Sequence, residues 1–553
     1  MMVKGRFFIL ITIGVFSALF LWNSVQNGYF FRETVKKNEL EFHLIKDEKP
    51  FVVIVPSYNN EEYVEKNLSS ILEQEYQNYR VIFIDDSSSD KTIEKALQVI
   101  ENHSAEDIVT LIRNQENYKA LYNLYYTIQA LSDDTIVFIV DGDDWLAHPR
   151  VLKELNRYYS NPDVWLAYGQ YITYPKYEKG KTGPLNAKIR SIRGQHTFPQ
   201  LRTFYAGLFK KIQLRDLLYQ GDFFKTSSDL AVIFPLWEMA REHAVFIPDV
   251  LYVYNRESPM NDDKIHRQSQ EFFDRYIRAL PSYHVIDLFQ SESVLNDDVA
   301  LIVFSEDRPL QLLSFLESLE KQDQVFSPIH IFYTASGEDY KRGYEIVKEI
   351  DQKNTVFHEW SGEKEFLEIL KGVESNYITF GKDTLVVNHE IPMNKVLSML
   401  EKTGAYGAYF DLGLNISTTP SKVISAGDGF FVFDFSLGRE QWRHCNRFDM
   451  ALYRKNTILS YINKIHFNTI LEFEEKWKKC KNLRQIGLFY RQSIAVNIPF
   501  QITKVDTNEK TFLYSEEELN DRLLEGYKID ITPIRDLEIR SSEIEFYPHF
   551  LMR

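Results

Sequence analysis

VFIVDGDDW, residues 137–145, runs a short apolar stretch straight into three carboxylates, Asp141, Asp143 and Asp144. Val137 to Val140 reads as a buried strand. Hard divalent cations take oxygen ligands, and Mg2+ or Mn2+ is held by one or two carboxylates together with substrate phosphates. Asp141 and Asp143, at the C-terminal end of a strand, fit a half-site of that kind, bridging a diphosphate. A polar turn with no ligand is the other reading of this stretch alone. The sequence upstream separates the two.

Residues 51–59 read FVVIVPSYN, and VIFI at 81–84 leads into DDSSSDKT at 85–92. Both are short apolar runs that end in polar turns, as buried parallel strands do. Tyr63, Leu68, Ile71 and Leu72 recur at helical spacing and predict a helix within 61–75. Asp90 is placed to cap a second helix over about 90–102, and a third spans about 117–131. Strand and helix alternate up to the Asp141 turn, which predicts an α/β parallel sheet with its site at the carboxyl ends of the strands.

On VPSYN (55–59), IDDS with Asp90 (84–90) and DGDD (141–144), residues 49–280 resemble the inverting family 2 glycosyltransferases of the GT-A fold, a Rossmann-like nucleotide-diphospho-sugar transferase architecture. The three motifs stand in the family's order. The resemblance implies that Pro56, Ser57 and Tyr58 line a nucleotide pocket and that Asp85 or Asp86 binds the base. A helix-capping turn is the alternative for that pair. It further implies that Asp141 faces ribose and metal, that Asp143 ligates Mn2+ or Mg2+, and that His266 completes the metal site, unless it is a surface histidine. The acceptor-side base would be Asp229 in TSSDLAVIFPLWEMAR (226–241), with Ser228 where the family's Glu stands; an N-cap is the alternative for Asp229. Trp237 and Glu238 are candidates to touch the acceptor, with core the stronger reading for Trp237. Residues 246–255, FIPDVLYVYN, fit the strand closing the acceptor side. The family's Asn-x-Gly after Arg113-Asn114 is here Asn117-Tyr118-Lys119, with Asn123 further on, a departure that bears on the donor.

Composition agrees. A chain of 553 residues expects two or more domains, and a net charge of −15 excludes non-specific nucleic-acid binding. Cys445 and Cys480 are too few for a disulfide framework and form no metal-ligand cluster. After Lys4 and Arg6, residues 7–22 form an apolar run that is short for an average bilayer and ends in Phe20, Leu21 and Trp22, with no small-residue cleavage site. The expectation is a tail at 1–6, a single-pass anchor at 7–22 and a stem at 23–48, a cleaved signal peptide being the alternative. The basic flank puts the N-terminus in the cytoplasm and the enzyme across the membrane, Golgi-like and lumenal if the cell is eukaryotic. Arg32, Lys36 and Lys37 weaken that bias. The sequons at Asn67, Asn102 and Asn415 decide nothing.

The C-terminal half echoes the first. VALIVFSEDRPLQLLSFLESL (299–319) repeats strand, polar turn and helix, with Ser305 opposite Ser57. IHIFYTASG at 329–337 stands opposite residues 81–86, Tyr377 to Asp383 falls where Phe138 to Asp144 fell, and AYGAY at 405–409 echoes AYGQY at 167–171. This predicts two tandem GT-A-like domains, 49–295 and 296–553. In this alignment Gly381 and Lys382 stand in place of Asp141 and Gly142, Asp383 is kept, and the paired aspartates after the second strand are gone. The second domain is therefore a degenerate acceptor-binding or stabilising unit, a metal-independent transferase, or a site rebuilt from elsewhere. Glu472 and Glu474 lie where a base would fall, although solvated helix carboxylates explain them as well. After about 485 come short strands and an acidic helix near 515–526.

Gln441-Trp442-Arg443 has the wrong order for the Gln-x-x-Arg-Trp motif of processive synthases, and the turn after Val55 lacks the Gly-rich loop of nucleotidyltransferases. The expected function is transfer of a sugar from a nucleotide donor, UDP-linked by resemblance, to a glycan, lipid or protein acceptor hydroxyl. A non-catalytic glycan- or protein-binding module, and a bifunctional transferase with two active domains, are the competing readings.

Overall fold

A computed structural model describes residues 48–185, 192–194, 200–259, 262–286, 288, 298–322, 325–351, 355–480, 485–500, 503–506, 509–512 and 514–553. The apolar run at 7–22 and the stem up to residue 47 lie outside the described residues. Among those described, no helix is long and apolar enough to cross a membrane.

The apolar runs of the first half form β1 (Phe51–Ser57), β2 (Tyr79–Asp85), β3 (Val109–Arg113) and β4 (Ile136–Ile139). They lie parallel in the order β3-β2-β1-β4. Every residue of β2 and β4 is buried, which is why their sequences run apolar without alternation. The intervening helices are α1 (Val64–Leu72), α2 (Thr92–Asn102) and α3 (Ala120–Ala130), each inside its predicted span. The sheet continues through β5 (Trp145–Leu146), β6 (Leu166–Tyr174), β7 (Arg202–Tyr205) and β8 (Ala244–Asn255) in the order β4-β7-β6-β8-β5. β7 runs antiparallel to both β4 and β6, and β8 runs parallel to β6. The helices α4 (Ser228–Ala240) and α5 (Arg267–Arg278) flank β8 in sequence.

The second half builds another sheet with the same plan. Its strands are β9 (Val299–Glu306), β10 (Ile329–Thr334), β11 (Thr355–Glu359), β12 (Tyr377–Lys382), β13 (Gly407–Tyr409), β14 (Ile424–Gly427), β15 (Phe430–Asp434), β16 (Ala451–Arg454) and β17 (Ile486–Tyr490). Their order is β11-β10-β9-β12-β16-β13-β17-β15-β14, with β16 antiparallel where β7 is antiparallel. The likeness extends to single residues. Asn59 (φ 51°) and Asp307 (φ 53°) are left-handed two residues past Ser57 and Ser305, and Leu201 (φ 75°) and Met450 (φ 49°) precede β7 and β16 in the same conformation. The Gly142 amide donates to Pro56 O at 3.1 Å, as the Asp383 amide does to Phe304 O at 3.2 Å.

The ladders correct two details of the sequence alignment. Ile54 is level with Ile139, and Ile302 with Phe380. Two residues on, Lys382 therefore occupies the place of Asp141, not of Gly142, and Asp383 that of Gly142, not of Asp143. Tyr168 pairs with Arg202 in β7, and Tyr409 with Ala451 in β16, so Tyr409 matches Tyr168. The Ala-Tyr-Gly echo is out of register by three residues and marks no common position. A helix near the C-terminus, α9 (Glu516–Leu524, with α6 at Pro309–Ser318, α7 at Glu338–Ile350 and α8 at Ile470–Lys479 before it), starts from a Ser515/Glu518 capping box and packs on α6 and α7. The halves touch through α3, where Tyr126 Oη donates to Ser425 O at 3.1 Å.

Candidate active site

The carboxyl ends of β1, β2, β3 and β4 bring the three sequence motifs to one sheet edge. Ser57 and Asp85 are level in the β1–β2 ladder. The turns after these strands are zipped together: the Asn59 amide donates to Ser88 Oγ (2.9 Å), the Asn60 amide to Thr92 Oγ1 (2.8 Å) and the Glu61 amide to Asp90 Oδ2 (3.1 Å). Asp90 also accepts from the Thr92 amide at 3.0 Å, but the cap position of α2 is Lys91, so Asp90, the predicted N-cap, stands one residue before it. The Asp141 turn then closes against this pair. A Cβ on Gly142 would lie 2.6 Å from Asn60 Nδ2 and 2.7 Å from Ser57 Oγ, so the approach requires glycine.

The two aspartates after β2 have different jobs. Asp86 accepts from Asn114 Nδ2 (2.6 Å) and from the Tyr118 and Lys119 amides (3.0 and 2.8 Å), and so fixes the β3–α3 loop. Asn114 Nδ2 also donates to Asn123 Oδ1 at 2.8 Å, which explains the second asparagine. Asp85 is fully buried, yet among the described residues neither oxygen has a hydrogen bond of regular geometry, Ser88 acting on it and Arg113 Nε standing 3.5 Å from Oδ2. Burial raises its pKa, with Ser88 and Arg113 working the other way. Buried carboxylate oxygens are normally hydrogen-bonded, so Asp85, not Asp86, is the carboxylate left to serve a ligand.

Within the Asp141–Asp144 turn the labour is also divided. Asp144 is buried, with Oδ2 accepting from Tyr252 Oη (2.8 Å) and Oδ1 from the Asn255 amide (2.7 Å). Burial and the neighbouring Asp143 and Asp141 raise its pKa well above the usual carboxylate range. It ties the turn to β8. Asp141 is about one-third exposed and accepts from Gln200 Nε2 at 3.0 Å, with Arg202 Nη2 3.8 Å away. Asp143 is half-buried. Both have the oxygen chemistry of a Mg2+ or Mn2+ half-site. His266 is exposed just before α5, and among the described residues no three His, Cys, Asp or Glu groups form a metal-ligating cluster, so His266 is not gathered with Asp141 and Asp143.

Asp229 is the second residue of α4, half-buried; the cap position is Ser227, so the N-cap alternative does not describe it. Arg202 is among its electrostatic neighbours. Burial opposes the guanidinium's charge, but Asp141 and then Asp229 act on it strongly enough that its pKa is raised. The expected neighbours of Asp229 fall to structural duty. Trp237 is core, and Glu238 is buried, receiving Arg193 Nε and Nη2 at 2.7 and 2.8 Å and the Tyr283 amide at 3.0 Å. The acceptor-contact reading of Glu238 is thereby corrected: both its oxygens are engaged in the core.

Gln200 and Arg202 escape the sequence reading, which noted Lys119 only as part of the Asn117-Tyr118-Lys119 departure. The first two lie at a four-residue strand with no periodicity to announce it. Lys119 takes the place of the glycine of Asn-x-Gly: its backbone (φ 71°, ψ 162°) lies in a region that is essentially glycine-only, at a cost on the order of 1–3 kcal/mol. Its Nζ lies 5.6 Å from the Tyr58 ring centroid.

In comparison with known proteins, residues 52–217 match the model of glycosyl transferase family 2. An uncharacterized glycosyltransferase of Haemophilus influenzae is 34% identical over 119 residues, 22% of this chain and 46% of the relative. A glucosyltransferase of Escherichia coli, named for transfer from UDP-Glc to a GlcNAc-diphosphoundecaprenol, is 28% identical over 119 residues, 22% of this chain and 44% of the relative. The chain thus spans less than half the length of these curated relatives. A mannosyltransferase structure from Pyrobaculum calidifontis, in complex with GDP-Man and Mn2+, is 19% identical, covering 48% of this chain and 75% of its own, with a TM-score of 0.32.

Proposed function

From the premise that residues 52–217 are a glycosyl transferase family 2 domain, we propose that the protein moves a sugar from a nucleotide-diphosphate donor, UDP-linked, to an acceptor hydroxyl with inversion at the anomeric carbon. One observation supports this reading: Ser57, Asp85 and the Asp141–Asp144 turn meet at one sheet edge, Ser57 level with Asp85 and Gly142 packed on Ser57 and Asn60. Asp85 receives the base, and Ser57 and Tyr58 line its approach. Asp141 and Asp143 would hold Mn2+ or Mg2+, whose bound charge offsets that of the departing diphosphate.

Asp229 accepts the proton of the acceptor hydroxyl, and that oxygen forms its bond to the anomeric carbon. The carbon–oxygen bond to the diphosphate breaks on the opposite side, and its electron pair leaves with the phosphate. Arg202, 3.8 Å from Asp141, sets a positive charge beside that carboxylate. The second half belongs to this reading as a GT-A-like unit without transferase chemistry, and the run at 7–22 as a single-pass anchor, the latter on sequence alone. The test is transfer and donor hydrolysis across a panel of nucleotide sugars with Mn2+. Wild type turns over at least one donor, and Asp143→Ala and Asp229→Asn do not. Equal rates in all three would reject the site.

A further inference from the structure

Lys119 is a lysine where the backbone asks for glycine. Such a conformation persists only where the surroundings over-determine it, and it clusters at ligand sites. Here the Lys119 amide is held by Asp86 Oδ2 at 2.8 Å while α3 begins at the next residue, so the side chain is presented at the sheet edge. The ammonium lies against the Tyr58 ring, and among the described residues no carboxylate pairs with it. A strained backbone retained for the sake of a side chain, and a cation without a counter-charge beside the nucleotide pocket, together call for an anionic ligand.

The order of the sheet says which anion. β1, which ends beside Tyr58, lies between β2, with Asp85 at its end, and β4, which leads to Asp141 and Asp143. A cation over Tyr58 therefore stands between the nucleoside end and the diphosphate end. Resting on the transferase reading above, we propose that Lys119 is a donor-binding residue whose ammonium takes the phosphate adjoining the nucleoside of the nucleotide-diphosphate donor.

The experiment is calorimetric titration of UDP, GDP, CDP, ADP and dTDP with Mn2+ into wild type, Lys119→Met, Lys119→Gly and Lys119→Arg, with thermal unfolding of each and binding of the matching nucleoside followed by NMR. For the diphosphate that binds wild type, loss of the charge in the Met and Gly variants weakens Kd by about tenfold, while Arg stays within about twofold. Nucleoside binding does not change, and Lys119→Gly unfolds at a higher temperature than wild type because the strain is gone. Diphosphate binding by Lys119→Met equal to wild type, or a parallel loss for the nucleoside, overturns the assignment. If wild type binds none of the five, the transferase reading fails and this inference with it. If Asp143→Ala weakens binding and the Lys119 variants do not, only the role of Lys119 fails.

Discussion

At the edge of the first sheet Asp141 faces Gln200 and Arg202; at the matching place in the second, Lys382 faces Asp449 (3.5 Å) and Glu474 (2.6 Å). The signs are exchanged between strands. Arg447 then pairs with Asp411 and Asp449, and Arg308 with Glu516 (2.9 Å) and Asp383 (3.8 Å). Each cation of the second edge is thus answered from within the chain, although Asp383 Oδ2 and Asp411 Oδ1 are buried there without a hydrogen bond among the described residues. In the first edge Lys119 stands over the Tyr58 ring with, among the described residues, no carboxylate paired to it. One plan of strands thus supports two electrostatic outcomes, one open to a charged ligand and one closed on itself. A fold tells where a site lies; the residues at the strand ends tell whether it is used.

The sharpest way to break this contrast is to remove the carboxylates of the first edge. Asp143→Ala should lower turnover by about a hundred- to a thousandfold, the size of loss seen when a main electrostatic contact to the reacting groups is removed, read as kcat with the surviving donor. The same loss in a variant of the second edge would erase the distinction. Next, Arg447→Met leaves buried Asp411 without its cation, while Asp449 keeps Lys382. Chemical denaturation should show a loss of about 3–5 kcal/mol, with turnover per folded molecule unchanged.

Asp383 sharpens the contrast through pH. Burial raises its pKa to about 6, against the pull of Arg308. A carboxyl raised in the folded state binds its proton more tightly there than in the unfolded chain, so its contribution is most favourable below about pH 4 and is lost as pH climbs to 6. Asp383→Asn should therefore gain on wild type by about 2–3 kcal/mol between pH 4 and pH 7, measured as the difference between two unfolding series. A constant difference across that range would contradict it. The smallest effect is steric: Gly142→Ala should cost about 1–3 kcal/mol by crowding Ser57 and Asn60, with a raised donor KM.

Much of this was readable in the sequence because buried parallel strands write themselves as apolar runs. Residues 51–57, 79–85 and 136–139 advertise both the sheet and the edge where Asp85 and Asp141 gather. The split between Asp85 and Asp86 was not readable, since it depends on which carboxylate the β3–α3 amides reach. Nor was Arg202, which sits on a four-residue antiparallel strand whose pairing is decided by β4 and β6. The repeat was legible, but its register was not. Ala-Tyr-Gly recurs at places the ladders keep three residues apart, and a one-residue shift in the alignment hid the exchange of Asp141 for Lys382.

The central claim is that Asp229 does chemistry while the β-strand edge holds the donor, and separating binding from turnover in one variant tests it most directly. For Asp229→Asn, the account predicts a donor-nucleotide Kd within about twofold of wild type and a kcat lower by about a thousandfold or more. A variant that keeps its turnover, or that loses turnover only in proportion to lost donor binding, would contradict it.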